Sequence, residues 1–277
     1  MPSVLVTGAS RGIGRSISTR LADRGWTVVA GVRREQDGAE VVAHNPERIS
    51  SVILDITDAK QIAALDDSLN ERLDAVVNNA GVVVPGPLEA VRPEEFRRQF
   101  EVNVTGHFAV TQALLPRLRQ SHGRIVFISS LNGRISVPLL GAYCASKFAL
   151  EAAADALRME LAPWHIPVIV VQPTQTDTDM LRTADEMVEQ TVATMTPEYR
   201  DLYAKHIVGM KKFLRRFRPS AVPADDVAAA VEEALTVRKP RARYVIGFGF
   251  PKLQAAAVPN LPSAARDRLL RRLGSQP

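Results

Sequence analysis

Short runs of β-branched and apolar residues recur along the chain, and stretches with apolar residues three and four apart lie between them. The runs are Ser3–Val6, Thr27–Val32, Ile49–Leu54, Asp74–Val77, Arg124–Ser129, Pro167–Val171 and Arg243–Ile246. Their apolar residues point both ways, as strands covered on both faces require. Ile13, Ile17 and Leu21 mark a helix after the first run. Ile62, Leu65, Leu69 and Leu73 mark another before the fourth. Pro93 and Pro223 fit the first turns of helices, where a missing N–H is harmless. Strands alternating with helices predict a parallel, doubly wound α/β sheet with right-handed crossovers.

The rhythm breaks after Pro173. Residues 174–219 carry no strand signal and hold Met180, Met187, Met195 and Met210. A helix is expected from Thr196 as N-cap and Pro197 as first residue, with Tyr199, Tyr203, Ile207, Met210, Leu214 and Phe217 along it. No repeat, low-complexity stretch or Gly/Ser linker divides the chain. Residues 1–277 therefore read as one domain, with an insertion over about 174–219 and a basic extension over about 250–277.

With 46% hydrophobic residues in 277, the chain has the composition of a folded protein. The lone Cys144 excludes an intramolecular disulfide and a paired-cysteine zinc site, so no metal is expected. It points to a reducing, cytoplasmic setting. Nothing approaches the ~18 consecutive apolar residues of a spanning helix, and Met1–Val6 lacks the basic start of a signal peptide. The net charge of +5 is uneven: residues 1–203 hold 20 Lys+Arg against 25 Asp+Glu, and residues 204–277 hold 15 against 5. That distribution does not make a nucleic-acid coat. Lys211–Arg218, Arg238–Arg243 and Arg266–Arg272 are read either as solvated faces paired with the acidic N-terminal part or as peripheral contacts with an anionic membrane.

Thr7-Gly8-Ala9-Ser10-Arg11-Gly12-Ile13-Gly14 joins the first strand to the first helix. Glycines at 8, 12 and 14 let the backbone turn tightly against a pyrophosphate, with the helix N-terminus supplying N–H donors. The second strand ends in Val32-Arg33-Arg34, where an NAD-preferring fold places a carboxylate. Arg33, with Ser10 and Arg11, suits a 2′-phosphate, which favours NADP(H) over NAD(H). Two solvated arginines are the alternative. Asp55, beside Ile56, stands where an adenine amino group would be held; Asp55 and Asp58 are also candidate helix caps. Asn78-Asn79-Ala80-Gly81 closes the fourth strand with small residues and amides able to knit neighbouring loops.

Tyr143 and Lys147 are one helical turn apart, so phenol and ammonium can share a cleft. A nearby cation lowers a tyrosine pKa and makes the phenol a usable acid/base. Ser129-Ser130 ends the fifth strand at the carboxyl edge, where open α/β sheets bind ligands.

The glycine loop, Asn78–Gly81, Asn103, Ser130 and Tyr143-x-x-x-Lys147 occur in the order and spacing of short-chain dehydrogenases/reductases, which the chain resembles over roughly residues 3–180. The resemblance implies a Rossmann-like sheet of seven mainly parallel strands in the order 3-2-1-4-5-6-7. It implies Tyr143 as proton donor and acceptor, and Lys147 as holder of the nicotinamide ribose. Ser130, chosen over Ser129 by spacing, would polarise the carbonyl, and Asn103 would kink its helix and hold a relay water. Pro173, Thr176 and Thr178 would flank the nicotinamide, beside Asn79, Ala80 and Gly81. Thr174 replaces a usual glycine, and a positive φ there would strain a β-branched residue. The methionine-rich insertion resembles the substrate lid of the retinol and 17β-hydroxysteroid dehydrogenase branch, implying a lipophilic alcohol or ketone; the same stripe also reads as ordinary core. A polar 3-ketoacyl or small-carbonyl reductase and a non-catalytic NADP-binding regulator are the alternatives. A homodimer or homotetramer through about 93–119 and 141–163 is implied by resemblance alone.

Overall fold

The computed structural model describes residues 1–69, 72–247 and 257–277. The first residues of the basic extension, 250–256, lie outside the described residues. The strands are β1 (Ser3–Thr7), β2 (Thr27–Val32), β3 (Ile49–Ile53), β4 (Ala75–Asn78), β5 (Arg124–Ile128), β6 (Val168–Pro173), β7 (Thr176–Asp177), β8 (Val222–Pro223) and β9 (Arg243–Ile246). Seven form one sheet in the order β3-β2-β1-β4-β5-β6-β9, and every pairing is parallel. These are the seven predicted segments in the predicted order. The two-residue pair β7–β8 was not visible in the hydrophobic pattern, because two residues carry no periodicity.

Alternation along the strands builds two cores. Val4 and Val6 face one layer and Leu5 the other; Val126 and Ile128 oppose Ile125 and Phe127 in the same way. Helices α1 (Gly12–Asp23) and α2 (Glu35–Val42) cover the first layer. Beneath the second run α3 (Ala59–Ala63), α4 (Leu65–Ser68), α5 (Pro93–Phe100), α6 (Gly106–Ser121) and α7 (Gly141–Glu160). The edge strand β3 departs from the two-faced pattern: Ser50, Ser51 and Ile53 are exposed, since among the described residues nothing pairs beyond it.

Several predicted helices differ in extent. The one read through Leu73 ends at Ser68, and Leu69 and Leu73 are buried in non-helical backbone. The helix expected through Tyr203 is two, α10 (Pro197–Leu202) and α11 (Ala204–Phe217), broken at Tyr203; Thr196 caps the first as expected, accepting from the Tyr199 N–H at 3.3 Å. With α8 (Asp179–Arg182) and α9 (Ala184–Thr194) they form a small apolar cluster of their own around Leu139, Val188, Met210 and Leu214. Pro93 is at the first turn of α5, whereas Pro223 is the N-cap of α12 (Ala224–Thr236), one residue earlier than expected. The C-terminal helix, Ser263–Leu273, follows. No helix among the described residues is long and apolar enough to cross a membrane.

Candidate active site

The carboxyl ends of the strands open into one cavity of about 1030 Å³. Every residue predicted for catalysis or cofactor binding lines it except Gly14. Gly14 acts underneath: a Cβ there would stand 2.2 Å from the Gly8 carbonyl oxygen and 2.5 Å from Asn79 Nδ2. Its bare backbone lets α1 approach the loop. Gly8 and Gly12 take φ of 63° and 55°, the left-handed region that glycine occupies without strain.

The loop is tied to the end of β4. Asn79 Nδ2 donates to the carbonyls of Thr7 and Gly8 at 3.0 and 3.1 Å. Thr7 Oγ1 accepts from the N–H groups of Asn79 and Ala80 at 3.0 and 3.1 Å. At the start of α1, Arg11 gives no side-chain cap, so the first-turn N–H groups face the cavity without one.

Arg33 and Arg34 have separate environments. Arg34 is paired with Asp37 at 2.6 Å, a contact that also draws the Asp37 carboxyl down. Arg33 lines the cavity with Ser10 and Arg11. Asp58 is the N-cap of α3, accepting from Lys60 and Gln61 N–H. Asp55 is therefore not the cap; its Oδ1 accepts from Thr57 N–H and Oγ1 at 3.0 and 2.7 Å, and it lines the cavity with Ile56.

Asn103 sits in a π-helical turn, Glu101–Thr105, that joins α5 to α6 and interrupts the long helix expected there. It is fully buried. Its Oδ1 accepts from Val82 N–H at 2.9 Å, and its Nδ2 donates to Val82 O at 3.0 Å and Ser146 Oγ at 3.2 Å. Ser130 follows β5 and opens the turn Leu131–Gly133, its Oγ accepting from Asn132 N–H at 3.1 Å. Tyr143 and Lys147 project from α7 toward the same floor, Lys147 Nζ standing 5.8 Å from the phenol ring centre. Lys147 is 4% exposed and donates to the Ile128 carbonyl at 2.9 Å.

The expected lowering of the phenol pKa is not what the geometry gives. Burial pushes Tyr143 up to about 12, and a hydrogen bond with Ser130 only partly opposes this. Burial also pushes Lys147 down, to about 8, against the pull of Glu151. Desolvation outweighs the charge effect that helical spacing suggested.

Thr174 causes no strain. It is not among the residues of positive φ, and its N–H donates to Ile246 O at 2.8 Å. Thr178 reaches the glycine loop: a Cβ at Gly12 would meet its methyl at 3.2 Å. Pro173 and Thr176 line the same end of the cavity.

A short chain dehydrogenase family model matches residues 2–189. The chain belongs to the short-chain dehydrogenase family. This dehydrogenase is 31% identical to retinol dehydrogenase 5 of Mus musculus, over 96% of its length and 87% of the relative's. It is 31% identical to the NADPH-dependent 3-dehydrocapnine reductase of Ornithobacterium rhinotracheale, covering 97% and 96%. A crystal structure of a Burkholderia cenocepacia short chain dehydrogenase in complex with NADP superposes with a TM-score of 0.75 at 28% identity, covering 97% of each chain. The short-chain dehydrogenase described here is an oxidoreductase of the CH–OH/C=O type that works with NAD(P).

Sequence reasoning missed several parts of the dehydrogenase's site. Gln99, fully buried, binds Val84 N–H and Val82 O at 2.7 Å each and so doubles the grip of Asn103 on the segment after β4. Its place four residues before Asn103 was the available signal. Leu270, Leu273 and Gln276 wall the cavity, although their segment read as surface by charge. Part of the basic excess is paired: Lys211 with Glu189, Arg218 with Asp185, Arg243 with Glu151 and Asp155. No group of three or more potential metal ligands converges among the described residues.

Proposed function

We propose that this dehydrogenase interconverts a lipophilic secondary alcohol and its ketone, of retinoid- or steroid-like bulk, using NADP(H) in preference to NAD(H). One observation carries the substrate reading. The cavity that holds Ser130 and Tyr143 continues into an apolar chamber lined by Met180, Met187, Met210, Phe213, Leu214 and Phe217. Thioether and aromatic side chains adapt to irregular apolar ligands. Residues 174–219 act as the lid of a single domain, and they bring that lining over the site.

The cradle fits a dinucleotide. Gly8 and Gly12 are in conformations a side chain disfavours, and a Cβ on Gly8 would lie 2.8 Å from Ala80 Cα. The uncapped start of α1 suits a pyrophosphate, and Arg33, free of the pairing that occupies Arg34, suits a 2′-phosphate. Asp55 and Ile56 would hold the adenine. Asn79, Ala80, Gly81, Pro173, Thr176 and Thr178 would flank the nicotinamide, and Lys147 would hold its ribose. When bound, the nicotinamide supplies or accepts the hydride.

The chain's own residues manage the proton. A phenol held near 12 keeps its proton at neutral pH, so Tyr143 is suited to protonate the carbonyl oxygen in reduction. Ser130 hydrogen-bonds the same oxygen and orients it. Lys147, fixed on Ile128 O, places positive charge beside the phenolate that remains. Asn103 holds the floor in place. Its amide is committed to Val82 and Ser146, which ties the segment after β4 to α7.

A homodimer or homotetramer through α6 and α7 suits the exposed Phe148 and Met159 on α7. Peripheral membrane contact is supported by exposed Leu202, Val208 and Leu269 interleaved with Lys205, Lys212, Arg268 and Arg272, which have no ion pair among the described residues. Liposome co-sedimentation with anionic vesicles at low and physiological salt tests it, and no binding at either ends that part. The substrate reading is tested by following NADPH absorbance against a ketone panel. Higher kcat/KM for bulky apolar ketones than for small polar keto compounds is expected. Equal turnover of both removes it, and preference for 3-ketoacyl thioesters replaces it.

A further inference from the structure

Glu151 lies one helical turn beyond Lys147 on α7, with its side chain only 6% exposed. Its two oxygens are held from two strands. Gln172 Nε2 of β6 donates to Oε1 at 2.8 Å, and Arg243 Nε of the edge strand β9 donates to Oε2 at 3.0 Å. Arg243 also binds Asp155 at 2.6 Å, and Arg158 closes on Asp155 at 3.0 Å. The carboxylate also supports the turn that Ser130 opens: a Cβ at Gly133 would stand 2.9 Å from Glu151 Cγ and 3.2 Å from its Oε1. Burying a carboxylate costs free energy that an apolar residue of similar size avoids. Here it packs against the Ser130 turn, one helical turn from Lys147.

We propose that Glu151 is a positioning residue of the site: held by Arg243 and Gln172, it keeps Lys147 a cation and seats the turn that carries Ser130. The proposal rests on the role given to Lys147 above.

The groups around Lys147 leave this task to one residue. From its own helix the titratable neighbours are Tyr143 and Glu151. From α6 it is His107, which burial, helped by Lys147, holds uncharged with a pKa of about 3. From β5 it is a neutral carbonyl, that of Ile128. Arg243 lies beyond Glu151 and holds its carboxylate from β9. Glu151 is thus the group that counters the desolvation of the ammonium.

Loss of either partner of the ion pair is therefore expected to move the Lys147 titration, which a purely structural role would not. In Glu151→Gln the charge opposing desolvation is gone and Lys147 loses its proton at lower pH. In Arg243→Gln the carboxylate loses its anchor on β9, and Lys147 loses its proton at somewhat lower pH. The measurements are the pH profile of kcat/KM for ketone reduction and, with no cofactor present, an NMR titration of the Lys147 Cε signal, assigned with Lys147→Arg. The alkaline limb and the NMR midpoint are expected to fall by about one pH unit in Glu151→Gln and to fall by less in Arg243→Gln. Both staying at the wild-type value in folded Glu151→Gln would overturn the proposal. Should that variant not fold, Arg243→Gln decides alone: a downward shift supports the proposal, and no shift or an upward one overturns it. If Lys147→Met retains activity, the reading of the site fails instead, and the NMR midpoints still report on Glu151.

Discussion

The ammonium of Lys147 donates to the main-chain carbonyl of Ile128 at 2.9 Å, fastening α7 to the end of β5 just before Ser130. Proposed proton donor, cation and hydroxyl are therefore set by one helix and one strand end. Because burial brings the ammonium to about 8, its charge is present below that pH and lost above it. Ketone reduction is expected to hold steady from pH 6 to 7.5 and to fall above about 8. Tyr143, near 12, stays protonated across that range. A kcat/KM profile still rising at pH 9 contradicts this.

Cofactor choice rests on which arginine lacks an ion pair among the described residues. Arg33→Ala is expected to lower the NADPH-to-NADH ratio of kcat/KM by about 10- to 100-fold, the worth of a charge-assisted hydrogen bond. Arg34→Ala should leave the ratio within about threefold, since that guanidinium is held by Asp37 at 2.6 Å. Equal effects of the two substitutions would remove the distinction.

Gly14 tests the cradle without touching its lining. In Gly14→Ala the new methyl meets the Gly8 carbonyl at 2.2 Å, so α1 and the loop must separate. Overpacking of this kind costs about 1–3 kcal/mol. Thermal unfolding should show the loss, and fluorescence titration should show weakened NADPH binding beyond it. Wild-type values in both would mean that the close approach of helix and loop is unnecessary.

His107 is fully buried on α6, and a hydrogen bond with the Ala80 main chain only partly offsets its desolvation. Desolvation holds it near 3, against 6.5 when unfolded. Between those values the unfolded chain binds a proton that the native one refuses, so stability rises with pH through that window and falls as pH drops. The slope is about 1.4 kcal/mol per pH unit. His107→Leu should remove that slope from urea unfolding free energies between pH 6 and 4. An unchanged slope would show that other groups set the acid limit.

Sequence pattern carried the sheet far because a strand buried on both faces must be apolar at successive positions, as Val4–Val6 and Val168–Val171 are. The candidate site was legible for a related reason: glycine at 8 and 12, Asn79 and the Tyr143–Lys147 turn are each required by local geometry. What could not be read depends on contacts distant in sequence. The break at Tyr203 leaves no mark in helical spacing. The walling of the cavity by Leu270 and Leu273 is invisible in a segment dominated by arginine. The direction of the Tyr143 shift depends on burial, which i, i+4 spacing does not report. Arg243, counted among surface cations, is held by Glu151 and Asp155, and only the pairing of β6 with β9 brings it there.

The central claim is that the Tyr143 phenol delivers the proton. Its most direct test is single-turnover reduction of a bulky apolar ketone by Tyr143→Phe with NADPH binding verified in the same sample. Loss of a positioned acid predicts a rate lower by about 10²- to 10⁴-fold with cofactor affinity within a few fold of wild type. A variant that binds NADPH and reduces the ketone within tenfold of the wild-type rate would contradict it.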